Sequence, residues 1–331
     1  MSRIAVLGAG SWGTALTLSL ANRGGHGLSL WAHSPTHAAD LAKTGVNTRY
    51  LPGFTLPAGI DVSSDLAKTI AGADIILCVT PSQALRSVMQ QIAPLLTPKQ
   101  VLLSASKGLE ETTFLRMSQL IREYAPENPV GTLGGPSFAQ EVAAGMPTAI
   151  TIATDEPVLG KMLQDAFSSP SLRVYRNEDL IGTELGGSLK NVIALAAGVV
   201  AGLEMGNNAS AALITRGIVE MTRLAVACGG RRDTLNGLSG IGDLVLTCTG
   251  GLSRNRTVGV ELGKGRKLDE IIAGLNGKVA EGVRSTTAAL GLAARYAVEM
   301  PITEQMAAIL HQNKPPRDAI RELMSRPGRT E

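Results

Sequence analysis

The chain has 331 residues, enough for two domains, with 44% hydrophobic and 18% charged residues, a formal net charge of +3 and only 3% aromatic residues. So small a net charge and so few rings argue against nucleic acid as a partner, because neither a phosphate-neutralising field nor a base-stacking platform is available. The three cysteines, Cys78, Cys228 and Cys248, form no C-x-x-C pair and do not cluster with the four histidines. Neither a disulfide framework nor a metal site is therefore expected, and a reducing compartment fits. An apolar strand that begins at Arg3 leaves no room for a signal peptide, and the longest uncharged apolar run, 192–203, falls short of the roughly 20 residues that cross a bilayer. A cytoplasmic protein without a membrane span is the expectation.

The apolar run Ile4 to Leu7 leads directly into a turn in which Gly8, Gly10 and Gly13 fit G-x-G-x-x-G, and a helix follows to about Asn22. Gly8 would make the tight turn, Gly10 would let the backbone approach a pyrophosphate, and Gly13 would let helix pack on strand. The helix start then offers N–H groups and a positive dipole end to phosphates. Between a strand and a helix, this pattern predicts a dinucleotide seat. A second strand, Leu28 to Trp31, ends at Ala32-His33-Ser34, where NAD-specific sites carry an acid for the ribose 2′-hydroxyl. With no carboxylate to repel a 2′-phosphate, NADPH should be accepted as well as NADH, although His33 also reads as a surface turn residue.

Further strands follow with doubly wound spacing: 74–80, 100–106, 130–133, 148–153 and 172–175. The run 100–106 leads into Lys107, a position that points a lysine into the ligand crevice of a parallel sheet or leaves it in solvent. Gly134-Gly135-Pro136-Ser137-Phe138-Ala139 reads as a rigid loop with exposed amides that opens a helix. From Asp179 onward strands give way to helical periodicity. The stretch 182–198 places Lys190 and Asn191 on a helix whose lysine face also carries Gly186, Gly187, Ile193 and Ala194. Such a face is small and apolar around one ammonium, which suits either a snorkelling side chain or a lysine aimed into a closed site. A second helix runs from about Asn207 to Cys228. Asp243 follows a glycine-rich turn and is either a helix cap or a site carboxylate. Ser253 is a natural N-cap, and the helix it opens presents Arg254 and Arg256 with its amides to an anion of phosphate size, or to solvent. Residues 279–282 interrupt two helical segments.

Taken together these residues resemble the bacterial NAD(P)-dependent glycerol-3-phosphate dehydrogenases. The matching stretches are GAGSWGTAL at 8–16, SKGLE at 106–110, GGPSFAQEVAAGMPTA at 134–149, ELGGSLKNVIALAAG at 184–198, NNASAALITRG at 207–217, GIGDLVLTCTGGLSRNR at 240–256 and EMPITE at 299–304. The resemblance implies a Rossmann-type doubly wound α/β domain over 1–179 and an all-α substrate domain over 180–331. It implies cofactor contacts at Gly8, Gly10, Ser11, Trp12, Gly13, His33, Ala139, Val279 and Glu281, with Lys107 and Arg254 serving both cofactor and substrate. It also implies substrate contacts at Gly135, Ser137, Lys190, Asp243, Ser253 and Asn255, with Lys190 as proton donor and acceptor. The chain departs from the family pattern at Ala201 and at Glu204-Met205, in the loop after the lysine helix.

The activity so implied is reversible hydride transfer between NADPH or NADH and dihydroxyacetone phosphate, giving sn-glycerol 3-phosphate for glycerophospholipid synthesis. No metal is needed, and association into a homodimer stays open. Two other readings compete: a β-hydroxyacid dehydrogenase of related two-domain architecture, which would take a carboxylate where Ser253-Arg254-Asn255 better suits phosphate, and a non-catalytic NADPH-binding redox sensor, which would not need Lys190, Lys107 and Asp243 together.

Overall fold

The computed structural model describes residues 2–274 and 280–328. Two compact units emerge, one made of 1–107 and 115–184, the other of 108–114 and 185–331. The first is an α/β unit around one eight-stranded sheet: β1 Ser2–Leu7, β2 His26–Trp31, β3 Asp61–Ser63, β4 Ile75–Cys78, β5 Val101–Ser104, β6 Val130–Gly134, β7 Thr148–Ala153 and β8 Leu172–Asn177. Their order across the sheet is β3-β2-β1-β4-β5-β6-β7-β8. β1 through β6 run parallel, with Ile4 opposite Leu28 on one side and Ile75 on the other. β7 breaks the expected parallel winding by pairing antiparallel to β6, Leu133 opposite Ile152, before β8 resumes parallel to β7. The link between β6 and β7 holds only the five-residue helix Ala139–Ala143, so the chain turns back at the same end of the sheet rather than crossing over.

The strands are short and apolar because both faces of the sheet are covered. Side chains alternate between two cores with the strand period of two. Ile4, Val6, Leu28, Leu30, Ile75, Leu77 and Leu103 share one core with Leu16, Leu20, Leu41 and Leu163 from helices Ser11–Arg23, Pro35–Thr44 and Pro157–Phe167. Ala5, Leu7, Ile76, Cys78 and Leu102 share the other with Leu85, Val88, Leu120 and Ile121 from helices Leu85–Ile92 and Met117–Tyr124. The unit closes on a buried carboxylate: Glu184 accepts from Ser118 N at 2.7 Å, Ser118 Oγ at 2.6 Å and Arg116 Nη1 at 2.6 Å. Three donors satisfy its lone pairs out of water, which is the condition for burying a charge without loss.

The second unit is helical. Its main elements are the lysine helix Leu180–Gly202 from residue 185 onward, and helices Gly206–Ala227, Asp243–Thr249, Arg254–Gly263, Glu281–Arg295 and Pro301–Gln312. The lysine helix and Arg254–Gly263 meet along a seam of glycines. A Cβ at Gly198 would stand 2.1 Å from Arg256 O, one at Gly202 2.2 Å from Val260 O, and one at Gly259 2.0 Å from Leu195 O. Small residues four apart on both helices thus let the two backbones touch. Glu220, 2% exposed, caps another helix from a distance, accepting from Ile302 N at 2.8 Å and Thr303 N at 2.9 Å. Burial pushes its carboxyl above the usual range, while these hydrogen bonds pull the other way. The excursion 108–114 ends at Phe114, whose φ of +62° is rare for a bulky residue. Its ring fills the notch at Gly291, where a Cβ would lie 2.1 Å from it, and Arg295 stacks on the ring at 4.6 Å. Among the described residues one helix, Leu180–Gly202, is long and apolar enough to cross a membrane, and 89% of its apolar window is buried inside the protein.

Candidate cofactor and catalytic sites

In the first unit the chain leaves β1 toward β2 and β3, then returns to β4 on the other side of β1. That reversal opens a crevice at the C-terminal ends of β1 and β4, the place where doubly wound sheets bind ligands. The glycine-rich turn fills its floor. Gly8 has φ +130°, and a Cβ there would lie 2.7 Å from Val79 O; a Cβ at Gly13 would lie 1.8 Å from Gly8 O. Gly10 is different, because a Cβ there meets nothing within 4 Å. Open space therefore lies over the middle of the turn, just before helix Ser11–Arg23. That helix has Gly10 at its N-cap and no side-chain cap, so its first N–H groups lack the acceptor a serine or aspartate would give. Two buried polar atoms in this neighbourhood, Trp12 Nε1 and Thr80 Oγ1 after β4, have no hydrogen-bond partner among the described residues. Open room, available amides and orphaned donors fit a dinucleotide whose pyrophosphate lies over Gly10.

Ser11 directs its hydroxyl to Tyr50 O at 2.6 Å. His33 is exposed beyond β2, its ring edge-on to Trp31 at 5.7 Å, and no carboxylate follows the strand. Lys107, beyond β5, is not a solvated loop lysine. It is half-buried and donates to Gly135 O at 3.0 Å and Ser137 Oγ at 3.4 Å, while Ser137 Oγ donates to Gly135 O at 3.0 Å. Lys107, Gly135 and Ser137 thus form one cluster at the adjacent ends of β5 and β6, with Ala139 as the first residue of the short helix that follows.

In the second unit the chemistry is carried by side chains. Lys190 is 6% exposed, and its Nζ donates to Asp243 Oδ1 at 2.5 Å and to Thr247 Oγ1 at 2.8 Å. Asp243 is not a helix cap: it is the first residue of helix Asp243–Thr249, whose N-cap is Gly242, and its carboxylate turns to the lysine instead. Thr247, one turn further on, donates its hydroxyl hydrogen to Asp243 O at 2.6 Å, which leaves its lone pairs to the ammonium. A buried ion pair adds little net stability, since desolvation offsets the attraction. What it supplies here is an ammonium fixed between two oxygens in a dry site. Cys248 lies beside this group, but burial pushes its thiol up to about 12, so it stays neutral.

The helix Arg254–Gly263 begins where expected, with the Ser253 hydroxyl accepting from Arg256 N at 3.2 Å. Arg254 is exposed at its first position. Asn255 is buried; it donates to Asn191 Oδ1 at 2.9 Å and accepts from Gly282 N at 3.0 Å. A single amide thereby joins the residue after Lys190 to the start of helix Glu281–Arg295, where Glu281 is half-buried. Val279 lies outside the described residues. Reading the sequence missed the parts played by Thr247 and Asn191. Thr247 had a usable signal, since it stands four residues after Asp243 on one helix face; Asn191 had only its place next to the lysine. Among the described residues, no group of three His, Cys, Asp or Glu side chains could hold a metal ion.

Comparison with known proteins matches residues 3–159 to the NAD-dependent glycerol-3-phosphate dehydrogenase N-terminus and residues 179–321 to the C-terminus of the same family. A glycerol-3-phosphate dehydrogenase [NAD(P)+] of Acidobacterium capsulatum is 56% identical, with all of both chains covered. The crystal structure of glycerol-3-phosphate dehydrogenase from Coxiella burnetii superposes with a TM-score of 0.95 at 41% identity, covering 98% of this chain and 99% of that one. A ketopantoate reductase from Ralstonia eutropha, 17% identical with a TM-score of 0.61 over 96% of this chain and 99% of that one, shares the fold alone. The chain belongs to the NAD-dependent glycerol-3-phosphate dehydrogenase family.

Proposed function

We infer that the protein reduces dihydroxyacetone phosphate to sn-glycerol 3-phosphate with NADPH or NADH. The observation that carries this reading is the buried ammonium of Lys190 held by Asp243 and Thr247. When bound, the reduced nicotinamide supplies a hydride to the ketone carbon. The ketone oxygen then gathers negative charge and needs a positive group beside it and a proton, and Lys190 is the side chain suited to give both. Asp243 holds the lysine aimed before the reaction. Thr247 accepts from it, because its own hydrogen is committed to Asp243 O. In the reverse direction the neutral amine takes the proton back from the alcohol.

The phosphate calls for cations joined to N–H donors. Lys107 with Gly135 and Ser137 offers one such group, and the helix start at Ser253, Arg254 and Asn255 offers another. Gly8, Gly10, Ser11, Trp12, Gly13, His33 and Ala139 are assigned to the dinucleotide, along with Glu281 and Arg254. The product would feed glycerophospholipid synthesis in the cytoplasm.

Loss of reduced-nicotinamide absorbance tests the assignment. Lys107→Ala and Arg254→Ala should each raise the KM for dihydroxyacetone phosphate by about tenfold or more, as expected when a charged hydrogen-bond partner is removed. Unchanged KM in both variants would remove these residues from the phosphate site. Turnover of a 3-oxo acid in place of the phosphorylated ketone would favour a hydroxyacid dehydrogenase.

A further inference from the structure

The chain leaves the α/β unit after Lys107 and returns to it at Leu115, and the strap between, 108–114, belongs to the helical unit. The strap is closed on itself: Phe114 N donates to Glu110 O at 2.9 Å, and Thr113 Oγ1 donates to the Glu110 carboxylate. Leu109 and Glu110 are both buried. Phe114 has φ +62°, a left-handed conformation that strains a bulky residue and persists only where something else holds it. Here the ring does so by entering helix Glu281–Arg295 end-on. A Cβ at Gly291 would lie 2.1 Å from its Cζ, 2.4 Å from Cε2 and 2.5 Å from Cε1, so only a glycine leaves the notch open. Arg295, one turn on, lies over the ring at 4.6 Å from the centroid. The same helix is tied at its start to the lysine site, because Gly282 N donates to Asn255 Oδ1 and Asn255 Nδ2 donates to Asn191 Oδ1, beside Lys190. Gly291 follows Gly282 by nine residues, which the helical repeat places on the opposite side. One helix thus receives the strap on one side and the neighbour of Lys190 on the other.

A lysine carries its charge on a flexible four-carbon stem, so where the ammonium can stand depends on how firmly the backbone beneath it is held. β5 holds the chain before Lys107, and the strap begins at the very next residue. We propose that Phe114 is a positioning residue for substrate: seated at Gly291, it fastens the strap and so fixes the backbone from which Lys107 reaches the phosphorylated ketone. The proposal rests on the assignment of Lys107 to the substrate made above.

Steady-state kinetics of the full chain with NADPH and dihydroxyacetone phosphate test it, as a double-mutant cycle with Lys107. Phe114→Gly puts a residue at ease with φ +62° and removes the ring alone. Its kcat/KM should fall by about tenfold, the scale of a modest misplacement of a binding group. In a Lys107→Ala background the same change should lower kcat/KM by less than about twofold, because the group it positions is gone. Gly291→Ala, whose methyl displaces the ring, should reproduce the loss in the wild-type background, and adding it to Phe114→Gly, where the notch is vacant, should not deepen it. Because it leaves the strap sequence intact, Gly291→Ala carries the same cycle if Phe114→Gly does not fold. Equal losses with and without Lys107 would make Phe114 a packing residue and overturn the proposal, as would unchanged kcat/KM in both single variants. Unchanged kcat/KM in Lys107→Ala alone would instead withdraw Lys107 from the substrate, and the proposal with it.

Discussion

The two regions assigned to chemistry are built from opposite materials. In the α/β unit the seat for the dinucleotide is backbone: a turn of six residues, 8–13, whose glycines let Gly8 approach Val79 O and leave open space over Gly10. In the helical unit the site is side chain: an ammonium, a carboxylate and a hydroxyl, with Lys190 separated from Asp243 by 53 residues and from Thr247 by 57. Glycines serve both, yet differently. At the middle of the turn the space over Gly10 is open to a ligand, while Gly8 and Gly13 admit backbone. Along the lysine helix the space is filled by protein, with Gly186 against Ser239 O at 2.1 Å and Gly198 against Arg256 O. A local backbone site is written in consecutive residues. A packed side-chain site exists only after distant segments have been pressed together.

The sharpest way to break this comparison is Lys190→Ala. If the site is a side-chain proton donor, turnover falls by roughly a thousandfold or more while cofactor affinity, to which Lys190 is not assigned, stays within about twofold. Steady-state rates with calorimetric titration of NADPH separate the two; loss of both together would contradict the division. Gly186→Ala comes next. Its Cβ would collide with backbone in the π-helical turn Leu238–Gly242 that leads into Asp243, costing about 3 kcal/mol by overpacking and lowering turnover as the carboxylate shifts. Thermal unfolding and kinetics on one preparation check both effects. Gly10→Ala should do the reverse. Stability should stay within about 0.5 kcal/mol because its Cβ meets nothing, while dinucleotide affinity drops about tenfold as the methyl enters the ligand's space. Equal destabilisation by the two alanines would erase the distinction between ligand space and packed space.

The smallest effect contrasts two buried carboxylates of the helical unit. Asp243 has an ammonium as partner, whereas Glu220 accepts from Ile302 N, Thr303 N and Thr303 Oγ1. Burial raises the carboxyl of Glu220 above 4.5, so the folded state holds its proton more tightly than the unfolded chain. Its stability contribution is therefore full below that value and is lost as pH rises through the folded pKa. Denaturant titrations across this range should show a shallower decline in Glu220→Gln than in the wild type, and identical slopes would reject the assignment.

How much of this was legible in the sequence follows from the same distinction. The strand, turn and helix at 4–22 were readable because period and glycine spacing are local. Ser253 was readable as a cap for the same reason. The orientation of β7 was not, since a 148–153 run looks alike in either direction. Asp243 could be read as a cap or as a site group, and only the contact with Lys190 decides it. Asn255 was assigned to substrate by resemblance; its bonds to Asn191 and Gly282 depend on a helix seam that no local pattern announces. The excursion at 108–114 was equally hidden, because the notch that receives Phe114 lies at Gly291.

The function assigned to the protein is reduction of a ketone that carries phosphate. The most direct measurement is oxidation of NADPH by the wild-type protein with dihydroxyacetone phosphate and, separately, with unphosphorylated dihydroxyacetone. Rapid turnover of the first and almost none of the second are expected. Equal rates would contradict the phosphate site, and no turnover of either, with NADPH demonstrably bound, would contradict Lys190 as the proton donor of this reaction.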